Sequence, residues 1–127
     1  VLQIGLMDRL QDFVTQIAVF DNMDNYIYII NEDTYAISFI NKKVLMKTPE
    51  VKIGDICYKA LQHRDSPCEN CILKKLDPKD PHSRCTEEMF NYSLRCWSRC
   101  SASWLEHKED NRLALVSAID ISEYFIG

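Results

Sequence analysis

The sequence predicts an α+β domain in which short helices cover one face of an antiparallel sheet. The predicted elements follow the order helix, two strands, several short helices and three strands, and strands split around a helical insert favour an antiparallel sheet. Residues 26–30 and 35–40 are rich in β-branched and aromatic side chains and flank a turn-forming stretch, which predicts a hairpin. An architecture of this kind leaves room for a ligand cavity between helices and sheet.

The first twenty residues predict an amphipathic helix. Leu6, Leu10, Phe13 and Ile17 recur at alternating spacings of four and three residues, so they share one stripe of that helix. Two interpretations stay open here. The helix packs on its own domain, or it continues from an upstream segment and joins two copies of the chain as a dimer.

The middle third predicts several short helices. Asn41 can cap a helix over residues 42–46, and Asp55 can cap one over residues 56–62, because Asn and Asp side chains accept the free backbone N–H groups of a first turn. Residues 68–71 are expected to open a further helix.

The last third predicts three strands, over residues 84–92, 94–105 and 113–119. The third strand is apolar on both faces, which favours a central position in the sheet. Cys96 and Cys100 are four residues apart, so they share one face of the second strand, where packing on the sheet is the simpler interpretation.

Length and composition exclude several classes of protein. The 127 residues, 14.8 kDa, correspond to one domain, and 46% hydrophobic with 27% charged residues is typical of a globular one. The net charge of -4 argues against nucleic acid as the main partner. No apolar run approaches the roughly 20 residues of a membrane-spanning helix, and no secretory signal is visible. We therefore expect a cytoplasmic domain, excised from a longer protein because it lacks an initiator methionine.

The six cysteines are the residues most suited to chemistry. Cys68 and Cys71 form a C-x2-C pair, and with Cys57 they could ligate a metal ion or an iron–sulfur cluster. The same pair could instead form a reversible disulfide, or all six thiols could stay free. If Cys68 stood at a helix N-terminus, the helix dipole would favour its thiolate.

Four aromatic residues are suited to line the expected cavity, although each could equally belong to the core. They are Tyr28, Phe39, Tyr58 and Trp97.

Three stretches resemble the PAS domain, a sensory module of bacterial signalling proteins. Residues 26–41 resemble the first hairpin of that family with its following Asn, and residues 118–123, Ala-Ile-Asp-Ile-Ser-Glu, resemble its closing signature. Residues 54–71 resemble a cysteine-bearing subgroup with the pattern G-x-x-C-Y-x-x-L-Q-x-R-x-x-P-C-x-x-C. The resemblance covers about residues 20–124.

The resemblance implies a five-stranded antiparallel sheet and a place in a larger protein, beside an output domain such as a GGDEF diguanylate cyclase, an EAL phosphodiesterase or a histidine kinase. Together with the helical stripe, it divides the chain into a flanking helix (residues 1–20), a sensor domain (21–124) and the start of a linker (125–127). We expect a homodimer joined through the stripe of the first helix. In the family, the acid at the position of Asp120 contacts the outgoing helix, so Asp120 and Ser122 are candidate output residues. A plain helix cap is the alternative for both.

The residues disfavour flavin and haem. The segment from Gly54 to Gln62 is similar to the flavin-binding motif of light-sensing relatives, but Ile56 replaces its Asn and Cys57 is displaced by one residue, which turns the thiol by about 100°. His63, the candidate haem ligand, lies in a polar loop. The cofactor therefore stays open between a metal and a small molecule.

Three functional hypotheses follow. The first is a sensor of a small molecule or of redox state that signals through its flanking helices. The second is a metal-stapled interaction or dimerisation module without a sensory role. The third, an enzyme, is the weakest, because the sequence contains no Ser–His–Asp set, phosphate-binding loop or metal-binding helix motif.

Overall fold

The computed structural model describes residues 15, 18, 19, 23–69, 71–92 and 94–125. The elements in this part of the chain are five strands, two short α-helices and two 3-10 helices. The strands are β1 Tyr26–Asn31, β2 Ile37–Ile40, β3 Arg84–Asn91, β4 Cys96–Lys108 and β5 Asn111–Asp120. The helices are α1 Lys42–Lys47 and α2 Cys57–Ala60, with 3-10 helices at Ile72–Lys75 and Ser122–Phe125.

The five strands form one antiparallel sheet in the order β2-β1-β5-β4-β3. The predicted α+β class, the five-stranded sheet and the central position of β5 are all confirmed. β5 pairs with β1 on one side and with β4 on the other, and Ala114, Val116 and Ala118 are fully buried along its inner face. The last three strands lie where they were predicted, and their ends differ from the predicted ends by at most three residues, as where β4 extends to Lys108.

The turn of the predicted hairpin is built by Asn31. Its side-chain Oδ1 accepts hydrogen bonds from the backbone N–H groups of Asp33 at 2.9 Å and Thr34 at 3.2 Å, the arrangement that makes Asn a frequent turn residue. Tyr35 then adopts a positive φ of 61°, and its N–H donates to the Asn31 carbonyl at 2.7 Å. The chain thereby reverses from β1 into β2.

One predicted helix cap is present and the other is wrong. Asn41 caps α1, because its Oδ1 accepts the N–H of Val44 at 3.2 Å. Asp55 does not cap α2. Its carboxylate accepts the N–H of Lys52 at 2.9 Å instead, and Ile56, which makes no side-chain capping bond, precedes the helix. The positive φ of Gly54, 97°, turns the chain so that Asp55 faces back toward Lys52.

The core lies between the helices and the inner face of the sheet. Val44 of α1, Cys57 of α2 and Leu73 of the first 3-10 helix pack in one cluster with Tyr28 and Val116 of the sheet. Several inner-face residues of β4 and β5 are small and buried, namely Ser98, Cys100, Ala102, Ala114 and Ala118. Because small side chains fill little volume, space remains between the two layers.

Leu6, Leu10, Phe13 and Ile17 of the predicted N-terminal helix lie outside the described residues, whereas Thr15, Ala18 and Val19 within its span are helical. Within the described ranges, no helix is both long enough and apolar enough to cross a membrane.

Candidate functional site

The space between the layers is a cavity of about 580 Å³. Tyr28 of β1, Met89 of β3 and Cys100 of β4 line it from the sheet. The opposite wall is the chain from α2 to the first 3-10 helix, with these lining residues: Cys57, Leu61, Gln62, Arg64, Cys68, Glu69, Cys71 and Ile72. The end of β3 completes the lining with Phe90, Asn91 and Tyr92. The volume falls in the range of small-molecule sites.

Four of the six cysteines line this one cavity: Cys57, Cys68, Cys71 and Cys100. All six are free thiols in the structure. Burial, together with the nearby Cys71 and Cys68, raises the pKa of Cys57 to about 12. Burial also raises the pKa of Cys71 and of Cys100, so these thiols are held in the neutral form at neutral pH.

Cys68 and Cys71 are the two cavity cysteines that are partly exposed. The N–H of Cys71 donates to the carbonyl of Cys68 at 3.2 Å, which closes a tight turn between them. The ammonium of Lys74 donates to the same carbonyl at 3.1 Å, and its charge works against the burial that raises the pKa of Cys71. The helix that follows directly is the four-residue 3-10 helix that begins at Ile72. Cys68 therefore does not stand at the N-terminus of that helix.

Cys57, Cys68 and Cys71, the candidate metal ligands, all line the cavity. Among the described residues, no group of three or more His, Cys, Asp or Glu side chains is arranged to hold a metal ion. His63 is exposed and is not among the cavity-lining residues.

A partly buried polar pair lines the same cavity as the thiols. Gln62 Nε2 donates to Asn91 Oδ1 at 3.3 Å, and the same oxygen accepts the N–H of Leu94 at 3.1 Å. Asn91 is 2% exposed. Gln62 and Asn91 both line the cavity, so a ligand would meet an oriented amide pair. Arg64 and Glu69 add opposite charges at the exposed part of the lining.

Of the four aromatic residues expected to line a cavity, Tyr28 does so. Phe39 pairs with Ile29, which points to the opposite face of the sheet from Tyr28. Trp97 is 43% exposed and alternates with the inner-face residues Cys96 and Ser98. Tyr58 packs edge-on against Tyr35, with ring centroids 5.5 Å apart, and lies outside the lining.

Several lining residues were missed at the level of sequence. Met89 and Asn91 carry no motif that marks them as ligand contacts, and Gln62 was considered only as part of the flavin-like segment that was set aside. Alternation along β3 places Met89 on the inner face, but only once the strand pairing is known. Cys100 lies on the inner face as expected of a packing residue, and it also reaches the cavity.

Asp120 and Ser122 are linked where β5 ends. Asp120 Oδ1 accepts the N–H of Ser122 at 2.8 Å, and hydrogen bonds from Ser122 hold the pKa of Asp120 below its usual range. The hydroxyl of Ser122 accepts the N–H of Trp97 at 3.2 Å. The start of the second 3-10 helix is thereby tied to both β5 and β4.

Comparison with known proteins shows the fold through structure alone, since the sequence matches no family model and no curated protein. The chain superposes on the PAS domain of nitrogen regulation protein NR(II) from Vibrio parahaemolyticus with a TM-score of 0.61 and 14% identity, covering 84% of this chain and 97% of that one.

Two further PAS domains give similar values. One from a two-component sensor histidine kinase has a TM-score of 0.57 and 13% identity, covering 88% of this chain and 98% of that one. That of Bordetella pertussis BvgS has a TM-score of 0.57 and 12% identity, covering 97% and 92%. The strand order, the short helices on one face and these superpositions together show that the chain has the fold of a PAS domain.

Proposed function

We propose that this chain is the sensory domain of a larger bacterial signalling protein, and that it binds a small molecule in the cavity between its helices and its sheet. The cavity carries the proposal. Its volume of about 580 Å³, its apolar walls and its few oriented polar groups are the properties of a small-molecule site. The similarity to PAS domains, among them that of a two-component sensor histidine kinase, supports a signalling role.

The lining indicates an amphipathic ligand. Leu61, Ile72 and Met89 offer apolar contacts, whereas Gln62 and Asn91 offer an amide pair that is already oriented by hydrogen bonds. A ligand that forms hydrogen bonds with both amides can replace the bond between them, so that neither amide is left without a partner.

The ends of the domain provide the route for the signal. Asp120 and Ser122 join β4 and β5 to the outgoing segment, so a change in the sheet would shift the start of that segment. We expect residues 1–20 to form a flanking helix that joins two copies of the chain through Leu6, Leu10, Phe13 and Ile17. A histidine kinase or a diguanylate cyclase is the output domain we expect after residues 125–127, in a cytoplasmic part of the parent protein. The domain itself would transmit the signal without catalysis.

Two experiments test the proposal. One detects a ligand in the cavity, and the other reduces the cavity volume by a substitution. Native mass spectrometry of the chain purified without oxygen should show an added organic mass, or the empty chain should bind the amphipathic probe 1-anilinonaphthalene-8-sulfonate. Met89→Phe adds volume inside the cavity and should weaken probe binding. Leu105→Phe, at a position that is 51% exposed and outside the lining, is the matched control.

The proposal would be contradicted if both variants and the unchanged chain bound the probe equally and native mass spectrometry showed the chain without any added mass. An added metal mass of one ion per chain would favour the metal-stapled module instead.

A further inference from the structure

The turn that carries Cys68 and Cys71 brings the two residues within the range that a disulfide bond can span. The N–H of Cys71 donates to the Cys68 carbonyl at 3.2 Å, the bond between first and fourth residues of a β-turn. Such a turn holds its end Cα atoms within about 7 Å. The Cα atoms of a disulfide are usually about 4.4–6.8 Å apart. A small adjustment of side chains would therefore bring the two sulfur atoms together.

The other two cavity thiols are placed differently. Cys57 is the first residue of α2 and Cys100 is 1% exposed on β4, with Ser98 3.3 Å from its sulfur. Both are buried on elements whose positions are set by the core. Cys68 and Cys71 are partly exposed on one loop, where an oxidant can reach them.

Positive charge lies next to this turn. Lys74 Nζ donates to the Cys68 carbonyl at 3.1 Å, and Arg64 belongs to the same wall of the cavity. A nearby cation stabilises the negative sulfur that attacks an oxidant. The turn thus combines access and proximity with a cation whose charge opposes the raised pKa of Cys71.

We propose that Cys68 and Cys71 are a redox modification site, which a hydroperoxide converts into a reversible disulfide at the rim of the cavity. One thiolate attacks the peroxide, so that a sulfur–oxygen bond forms, the oxygen–oxygen bond breaks and an alcohol or water leaves. The second thiol attacks the resulting sulfenic acid, so that the sulfur–sulfur bond forms and water leaves. The two sulfurs supply two electrons to the peroxide, and a thiol reductant reverses the reaction.

The disulfide would act on the sheet through the first 3-10 helix. That helix begins directly after Cys71 and buries Ile72 and Leu73 in the core. The thiol of Cys85 on β3 donates to the carbonyl of Ile72 at 3.5 Å. A shift of the turn would therefore reach β3. This consequence rests on the proposed function, whereas the formation of the disulfide does not.

Trypsin mapping tests the pairing directly. Cleavage after Arg64 and Lys74 places Cys68 and Cys71 in one peptide, residues 65–74, whereas every other cysteine lies in a different peptide. The reduced chain is treated with hydrogen peroxide, its remaining thiols are alkylated, and it is then digested. We expect the 65–74 peptide to be unalkylated and lighter by two hydrogen atoms, and to become doubly alkylated after treatment with dithiothreitol.

Single substitutions test which two cysteines form the disulfide. Cys68→Ser and Cys71→Ser should each abolish the loss of two hydrogen atoms. Cys57→Ser should retain it, and so should Cys96→Ser, since Cys96 lies outside the cavity lining. Circular dichroism confirms that each variant is folded.

Other results would overturn the proposal. These are a doubly alkylated 65–74 peptide after oxidation, a disulfide that joins two peptides, or oxidation that stops at sulfinic acid on separate cysteines. Probe binding to the reduced chain separates the two claims. If the probe binds and no disulfide forms, the redox site is wrong while the ligand cavity stands.

Discussion

The side-chain oxygen of Asn41 accepts the backbone N–H of Ile27 at 3.2 Å, and the N–H of Asn41 donates to the Ile27 carbonyl at 2.9 Å. This residue follows β2, so the two bonds extend the pairing with β1 by one position. Asn41 Nδ2 also donates to the carbonyl of Asn25 at 2.9 Å, and its Oδ1 caps α1. One fully buried amide therefore holds the hairpin against the first helix.

Asn41→Ala should lower the free energy of unfolding by about 1–3 kcal/mol, because it leaves the buried N–H of Ile27 without its acceptor and removes a helix cap. Urea denaturation measures the change. Ser38→Ala, at an exposed position of β2, is the control and should stay within about 0.5 kcal/mol of the unchanged chain. An Asn41→Ala variant as stable as this control would show that the amide bonds contribute nothing net.

Cys57 should resist alkylation in the folded chain. With a pKa of about 12, the thiolate fraction at pH 8 is only about one in ten thousand, and the thiolate is the reactive form. A short pulse of iodoacetamide followed by trypsin mapping reads the label on residues 53–59. The same pulse in urea gives the fully accessible control. Labelling in the folded chain at the rate found in urea would contradict the assigned burial.

The raised pKa of Cys57 also predicts that the free energy of unfolding decreases in alkaline solution. In the unfolded chain Cys57 loses its proton near pH 9, whereas the folded chain keeps that proton up to about pH 12. The unfolded state therefore binds fewer protons in this window, and the free energy of unfolding decreases as pH rises, by up to about 1.4 kcal/mol per pH unit for one group. Cys57→Ser should show a shallower decrease between pH 9 and 10.5, measured by urea denaturation under reducing conditions. An unchanged slope would assign the effect to other groups.

Asp120 should titrate below ordinary aspartate. Hydrogen bonds from Ser122 favour its charged form, so its pKa lies below the usual value. The stability it contributes is present above the unfolded pKa and is lost as pH falls through the lower folded pKa. This effect should be small because Asp120 is exposed.

NMR titration of the carboxyl carbon of Asp120 gives the pKa directly. Ser122→Ala should raise it toward the ordinary value, and Ser38→Ala should leave it unchanged. If Ser122→Ala has no effect, the hydroxyl does not contribute to the shift.

Much of the architecture could be predicted because it depends on neighbouring residues. Stretches rich in β-branched and aromatic side chains marked the first two strands, Asn31 and its neighbours marked the turn, and Asn41 marked a helix start. The wrong cap at Asp55 shows the limit of local reasoning. A carboxylate can accept several nearby N–H groups, and the turn at Gly54 decides in favour of Lys52.

The composition of the candidate site was harder to predict, because it depends on which strands pair. Tyr28 and Phe39 look equally suited to a cavity from sequence. The register of β1 with β2 places Phe39 beside Ile29 and hence on the other face from Tyr28. Since side chains alternate, a shift of one position would exchange these roles.

The sequence by itself determined the strand-forming stretches, the central character of β5, the turn at Asn31 and the C-x2-C spacing. Only the tertiary structure decided that Cys57, Cys68, Cys71 and Cys100 line one cavity. The reason is physical. Propensity, capping and turn formation act over a few residues, whereas a cavity depends on the volumes left between elements that meet only when the whole chain is packed.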